Sequence, residues 1–290
     1  MSSPVSKLGL GSGQFAFDRA PARGRPVQAE VRDILEIAAR SGIHLVDITG
    51  RSVQSEREIG AMIPKPDPFR ICISTVRPDR GPDIVEAEAR ACLERLGVSQ
   101  AECILVPSVA ELLGPCGALM WDRLKALRDE GLTRKIGVSV FASDDPLGVA
   151  RRFRPDVVQA PASLLDQRLI NDGTLAAIAD LGIEVHLRSI FLNGLLLLPP
   201  DRAPNHLQAA AARISRARRM IAEGRSDPLQ AALGFALSRP EASAVLVGPA
   251  SAAEFNAMVA AAGSPPPDLD WDDMAINDPE ALDSGAWAAA

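Results

Sequence analysis

Eight short β-rich runs alternating with amphipathic helical stretches predict a single (β/α)8 barrel, a closed parallel sheet ringed by helices. Length and composition agree. The chain has 290 residues, 47% of them hydrophobic, which is enough to bury one large core without a second domain. Its 22 glycines and 23 prolines are spread between the periodic segments, a pattern that favours many short elements. Runs such as Ile71-Cys72-Ile73 and Ile104-Leu105-Val106 are apolar throughout, as strands covered on both faces must be.

Strands are expected at residues 7–12, 43–48, 70–75, 102–107, 135–140, 156–160, 184–189 and 244–248, where β-branched and aliphatic residues gather between turn signals. Helices are expected at residues 27–40, 82–96, 120–130, 174–181, 207–223 and 252–262. Parallel neighbours need crossover helices, and this alternation supplies them. The barrel is expected to span residues 1–262. The remainder, 263–290, is an acidic, Pro/Ala-rich tail containing Pro265-Pro266-Pro267. It is expected either to fold over the barrel mouth through Trp271 or to stay partly disordered.

A formal net charge of -6, with no long Lys/Arg run, argues against a nucleic-acid partner and against an anionic membrane surface. No apolar stretch approaches the ~20 residues of a membrane span, and the N-terminus lacks the basic and apolar regions of a secretory signal. A cytoplasmic protein acting on small molecules is the expectation. Cys72, Cys92, Cys103 and Cys116 form no C-x-x-C pair and read as free, buried thiols rather than a disulfide or metal framework.

In a barrel, chemistry sits where strands end at the C-terminal face. The second expected strand ends in Asp47-Ile48, followed by Thr49-Gly50-Arg51-Ser52-Val53-Gln54-Ser55-Glu56-Arg57-Glu58-Ile59-Gly60. This segment resembles the Asp-Thr-Ala-x-x-Tyr-Gly-x-Ser-Glu-x-x-Leu-Gly signature of the aldo/keto reductases, with Asp47, Ser55, Glu56 and Gly60 in place. The resemblance extends to Lys7–Ser12, to Lys135-Ile136-Gly137-Val138-Ser139, to Asp156-Val157-Val158-Gln159 with Asp166-Gln167-Arg168, and to Arg188-Ser189-Ile190-Phe191-Leu192-Asn193-Gly194. Matches in the correct order run to about Val259 and are closest to the bacterial branch associated with surface-sugar biosynthesis.

The resemblance implies a tetrad of Tyr, Lys, His and Asp, of which only the aspartate has a counterpart, Asp47. Ser52 stands where the family carries its proton-donating tyrosine, and the chain has no tyrosine at all. The lysine position reads Val76, and the histidine position falls within Leu105-Val106-Pro107. Arg51 and Arg77, beside the missing groups, are the expected partners of Asp47, because a buried carboxylate needs a donor or cation.

The cofactor side of the resemblance implies NADP(H) or NAD(H), held by Ser139, Gln159, Ser189, Leu192 and Gly194. Ser251 opens a Ser251-Ala252-Ala253-Glu254 capping box whose free N–H groups either cap a helix or cradle phosphate, and no 2′-phosphate-binding arginine or lysine follows strand eight. His44, His186 and His206 read as structural. Three functions stay open: a reductase acting on a sugar or sugar-nucleotide carbonyl through a non-standard acid; a non-catalytic relative that binds a ligand or partner; and a barrel turned to lyase or isomerase chemistry around Asp47.

Overall fold

The computed structural model describes residues 4–15, 28–48, 52–75, 81–192, 194–197 and 208–283. Eight parallel strands close into a barrel in sequence order: β1 (Leu8–Gly11), β2 (Leu45–Ile48), β3 (Arg70–Ser74), β4 (Ala101–Val106), β5 (Thr133–Ser139), β6 (Val157–Pro161), β7 (Glu184–Arg188) and β8 (Ala242–Val247), with β8 pairing back to β1. Each lies within two residues of its expected span. Strand alternation sets two cores. Leu10, Val46, Ile73, Ile104, Val138 and Val245 belong to the layer shared with the surrounding helices, while Leu45, Cys72, Cys103, Leu105, Val157, Ala244 and Leu246 form a smaller cluster inside the barrel. The interior is narrow: a Cβ added at Gly137 would lie 2.6 Å from the Val157 carbonyl oxygen.

The expected helices appear as α1 (Gln28–Arg40), α3 (Pro82–Leu96), α5 (Gly117–Asp129), α8 (Thr174–Asp180), α9 (Gln208–Glu223) and α11 (Ala252–Gly263). Others were not anticipated: α2 (Val53–Met62), α4 (Val109–Leu113), α6 (Pro146–Phe153), α7 (Arg168–Asn171), α10 (Pro228–Leu237) and α12 (Pro279–Leu282). The reason is clearest for α10, which is buried from Ala231 to Ala236. A helix apolar all round has no polar face to reveal its period.

The segment after α11 lies against the barrel. Trp271 meets Phe235 edge-on at 5.7 Å, its carbonyl accepts from Gln167 Nε2 at 2.6 Å, and Met274, Ile276 and Leu282 join the main core. Arg168 clasps Asp283 at 2.8 Å. The four cysteines are free, and Cys72 and Cys103 stand in register on β3 and β4. Burial pushes the Cys103 thiol well above its ordinary range, helped by the neighbouring Cys72, so it is chemically quiet. Among the described residues, no helix is long and apolar enough to cross a membrane.

Candidate active site

The motif after β2 divides into two parts. Ser52 is the N-cap of α2, its Oγ accepting from Ser55 N at 3.3 Å, which satisfies one of the helix's free N–H groups. Glu56 reaches Arg95 of α3 at 2.5 Å, a contact in which both side chains are largely buried. Gly60 lies where α2 crosses α3, and a Cβ there would stand 2.4 Å from the Arg95 carbonyl oxygen. Glu56 and Gly60 therefore fasten two helices together. Arg51, Arg77 and His206 lie outside the described residues.

Asp47 remains as the chemical group. It is 2% exposed, and its Oδ2 accepts from Gln159 Nε2 at 2.5 Å across the barrel interior. Gln159 in turn accepts from Ser139 Oγ at 3.3 Å. Ser139, Gln159 and Asp47, on β5, β6 and β2, thus form one hydrogen-bonded chain. Burial raises the Asp47 carboxyl to about 6, against the lowering effects of the Gln159 hydrogen bond and the charges of His186 and Arg188.

Arg188 was not singled out by the sequence reading, although its position as the last residue of β7 was the available signal. Its Nη1 donates to Ser189 Oγ at 3.2 Å and its Nη2 to the Val140 carbonyl at 2.7 Å, while the guanidinium lies 4.6 Å over the Phe141 ring. Burial lowers its pKa and the facing carboxylates raise it, burial prevailing. Beyond Arg188 the chain turns sharply: Ser189 (φ 60°), Leu192 (φ 47°) and Gly194 (φ 86°) all occupy the left-handed region. For Ser and Leu that conformation is strained, and such strain gathers at ligand-binding turns.

Several buried polar atoms without a partner among the described residues fall at the same end of the barrel. They are Ser12 Oγ after β1, Asp47 Oδ1 on β2, Thr75 Oγ1 after β3 and Arg188 Nε on β7. An unpaired buried polar atom costs roughly 1–3 kcal/mol. Further such atoms lie elsewhere, at Glu58, Arg123, Arg239 and Glu241.

The opposite face is also polar, with Glu241 Oε2 just before β8 unpartnered among the described residues. A cavity of about 170 Å³ is lined by Arg70, Glu102, Lys135, Glu184 and His186 among others, with Lys135 pairing Glu102 at 2.8 Å and Glu184 at 2.9 Å. His186 sits 3.6 Å from Glu184, and His44 Nδ1 meets the Pro68 carbonyl at 3.1 Å, so both have structural partners.

Of the two readings of the α11 start, the capping contacts are present. Ser251 Oγ accepts from Glu254 N at 3.1 Å and Glu254 Oε2 from Ala250 N at 2.7 Å. Ala252 N donates to Glu30 of α1 at 2.6 Å. Two of the protein's own carboxylates fill this helix start, and a phosphate there would have to displace one of them against charge repulsion.

A closed (β/α)8 barrel with Asp47, Ser139, Gln159 and Arg188 at or near its C-terminal strand ends has the layout in which barrel enzymes keep their chemistry. The model of the aldo/keto reductase family matches residues 7–276; the chain belongs to that family. Among solved structures, an aldo-keto reductase from Bacillus halodurans, in its holo form, superposes with a TM-score of 0.74 at 17% identity, covering 96% of this chain and 91% of that one. A candidate aldo-keto reductase from Pseudomonas aeruginosa gives 0.65 at 19%, covering 89% of each. At such identities the likeness speaks for the fold alone. No curated protein matches the sequence.

Proposed function

We propose that this protein is a nicotinamide-dependent oxidoreductase acting on sugar-like carbonyl compounds, with Asp47 as the acid that the missing tyrosine would otherwise be. The observation that carries this reading is Asp47 itself: a carboxyl raised to about 6, with one oxygen fixed by Gln159 and the other without a partner among the described residues. A group that titrates near neutrality is suited to give and take a proton. Ser52 is assigned to helix capping, and Arg51 and Arg77 remain candidates for further charge at the mouth.

The nicotinamide end of the cofactor fits the residues present. Gln159 retains a second N–H and a second lone pair, and the Ser139 hydroxyl can still accept. These two would hold the carboxamide, with Ser189, Leu192 and Gly194 turning the chain around the phosphates. The far end does not fit a 2′-phosphate, because Glu30 and Glu254 occupy the start of α11 beside Ser251. NAD(H) is therefore the cofactor of this reading, rather than NADP(H).

The bound cofactor supplies hydride. In the reducing direction, protonated Asp47 donates its proton to the carbonyl oxygen as that oxygen gains the electron pair of the C=O bond, and the product alcohol leaves an ionised Asp47 that reprotonates from solvent. Gln159 holds the carboxyl in one orientation throughout. The same buried carboxyl also supports a second reading, proton abstraction without hydride transfer in a lyase or isomerase. The experiment is NADH consumption with a panel of sugar aldehydes at pH 5.5 and 8. Turnover that falls through pH 6 and is lost in Asp47→Asn supports the proposal; turnover that persists in Asp47→Asn overturns it.

A further inference from the structure

We infer that the N-terminal end of the barrel carries a second binding site, a surface groove in which Arg70 and Arg134 together take the phosphate or carboxylate group of a small organic anion. The site is separate from the C-terminal mouth and does not rest on the reading of Asp47.

The groove has a volume of about 470 Å³ and is lined by the entry to β3, the turn between α3 and β4, and the entry to β5. It shares Arg70 and Glu102 with the adjoining cavity of about 170 Å³. Here one carboxylate gathers three cations. Glu102, 7% exposed, takes Lys135 at 2.8 Å, while Arg70 Nη1 stands 3.6 Å from one of its oxygens and Arg134 Nε 3.9 Å from the other. The lysine holds the hydrogen bond, so the two arginines stand over a charge that is already met. Two guanidiniums beside one paired carboxylate repel each other, and an anion shared between them relieves that repulsion.

The hydrogen-bonding capacity left over is that of donors. The Arg70 guanidinium makes no hydrogen bond among the described residues, and Arg134 spends only its Nε, on Gln100 Oε1 at 2.9 Å. The carboxylates nearby are engaged: Asp67 Oδ1 accepts from Phe69 N at 2.8 Å, and Lys135 pairs with Glu102 at 2.8 Å and with Glu184 at 2.9 Å. What remains are planar forks of N–H groups, which match the spacing of phosphate and carboxylate oxygens. Arg70 and Arg134 are 55% and 68% exposed, so a ligand reaches them directly from solvent.

Charge and shape point to a small organic anion rather than a polyanion. The protein carries a net charge of -6, whereas here Arg70, Arg134 and Lys135 match Asp67, Glu102 and Glu184 in number. One negative group is accommodated, and a long negative chain would meet the repulsion of the whole molecule. Phe69 and Val98, both half-buried, line the same groove and give the rest of the ligand an apolar flank beside the forks. The volume suits a molecule of metabolite size, larger than a bare ion.

The test is amide-detected NMR titration of the full chain in low-salt buffer, without nucleotide. The probes are phenyl phosphate, benzoate and benzyl alcohol. At least one of the two anions is expected to bind about tenfold or more tightly than benzyl alcohol, the equivalent of about 1.4 kcal/mol, and to move the amide signals of Val98, Ser99 and Gln100. The tighter anion identifies the head group. Arg70→Gln and Arg134→Gln, both at exposed positions and checked for an unchanged circular dichroism spectrum, are each expected to weaken that anion by about tenfold. The inference is overturned if neither anion binds, if benzyl alcohol binds as tightly, if the shifted amides lie at the C-terminal mouth instead, or if either variant keeps the wild-type affinity. Because nucleotide is absent and the signals lie at the other end of the barrel, failure here is distinct from failure of the nicotinamide assignment.

Discussion

Gln159 donates to Asp47 across the interior of the barrel at 2.5 Å, joining the residue expected to grip a cofactor to the residue expected to do chemistry. That bond holds one carboxyl oxygen and leaves its twin without a partner among the described residues. The carboxyl is buried, and its pKa rises from the ordinary 3.8 to about 6. The consequences can be measured on protein alone.

Asp47 should cost stability at neutral pH. An acid whose folded-state pKa is raised binds its proton more tightly when folded, so its effect is absent below about pH 4, grows through about pH 6 and is then constant. Asp47→Asn should therefore be more stable than the wild type at pH 8, by up to about 3 kcal/mol, and equal to it near pH 4. Urea denaturation at the two pH values reads the difference. Glu184 behaves oppositely: His186 beside it, with Lys135 behind, pushes it down to about 2, so its contribution is present above about pH 4.5 and is lost on acidification towards pH 2.

Removing the Gln159 amide should move Asp47 further from its ordinary value, because that hydrogen bond is the largest influence favouring the ionised form. Gln159→Leu is expected to titrate Asp47 above pH 6 in carboxyl-labelled carbon NMR. An unchanged or lower midpoint would contradict this account of the site.

Gly60, shared with the family motif, and Ser52, which stands in place of its tyrosine, should behave as scaffold. Gly60→Ala places a methyl against the Arg95 carbonyl, and backbone cannot yield as a flexible side chain would. A loss of about 1–3 kcal/mol is expected. Ser52→Ala should cost about 1 kcal/mol through its lost cap. Neither change should alter nucleotide affinity in the folded protein, and calorimetry on both variants checks this.

Simple aldehydes should be poor substrates, since the chain has no tyrosine and Asp47, a shorter side chain buried at 2% exposure and held by Gln159, stands in for it. Positioned acid–base catalysis is worth ~10²–10⁴-fold. NADH oxidation with propanal at the ~1–10³ s⁻¹ usual for enzymes would contradict this expectation.

The barrel was legible in the sequence because each strand is a short apolar run bounded by turn residues, and period 2 against period 3.6 separates the two element types. Helix α10 was not, since Ala231 to Ala236 are buried on every side. At the site, Asp47, Ser139 and Gln159 were legible through the resemblance to the family motifs, but that they hydrogen-bond to one another is set by register between strands far apart in the chain. Arg188 was hidden by its neighbours in a recognisable segment, and its significance depends on Phe141 and Val140 of the loop after β5. The filling of the α11 start by Glu30 pairs positions 222 apart in sequence, which no local pattern encodes.

The most direct test of the central claim is calorimetric titration of the folded protein with NADH and with NADPH. Binding of NADH, weaker binding of NADPH, and a narrowed ratio in Glu30→Gln are the results expected from a nicotinamide held by Ser139 and Gln159 and a helix start filled by Glu30. No heat with either nucleotide at millimolar concentration, or tighter binding of NADPH, would contradict it.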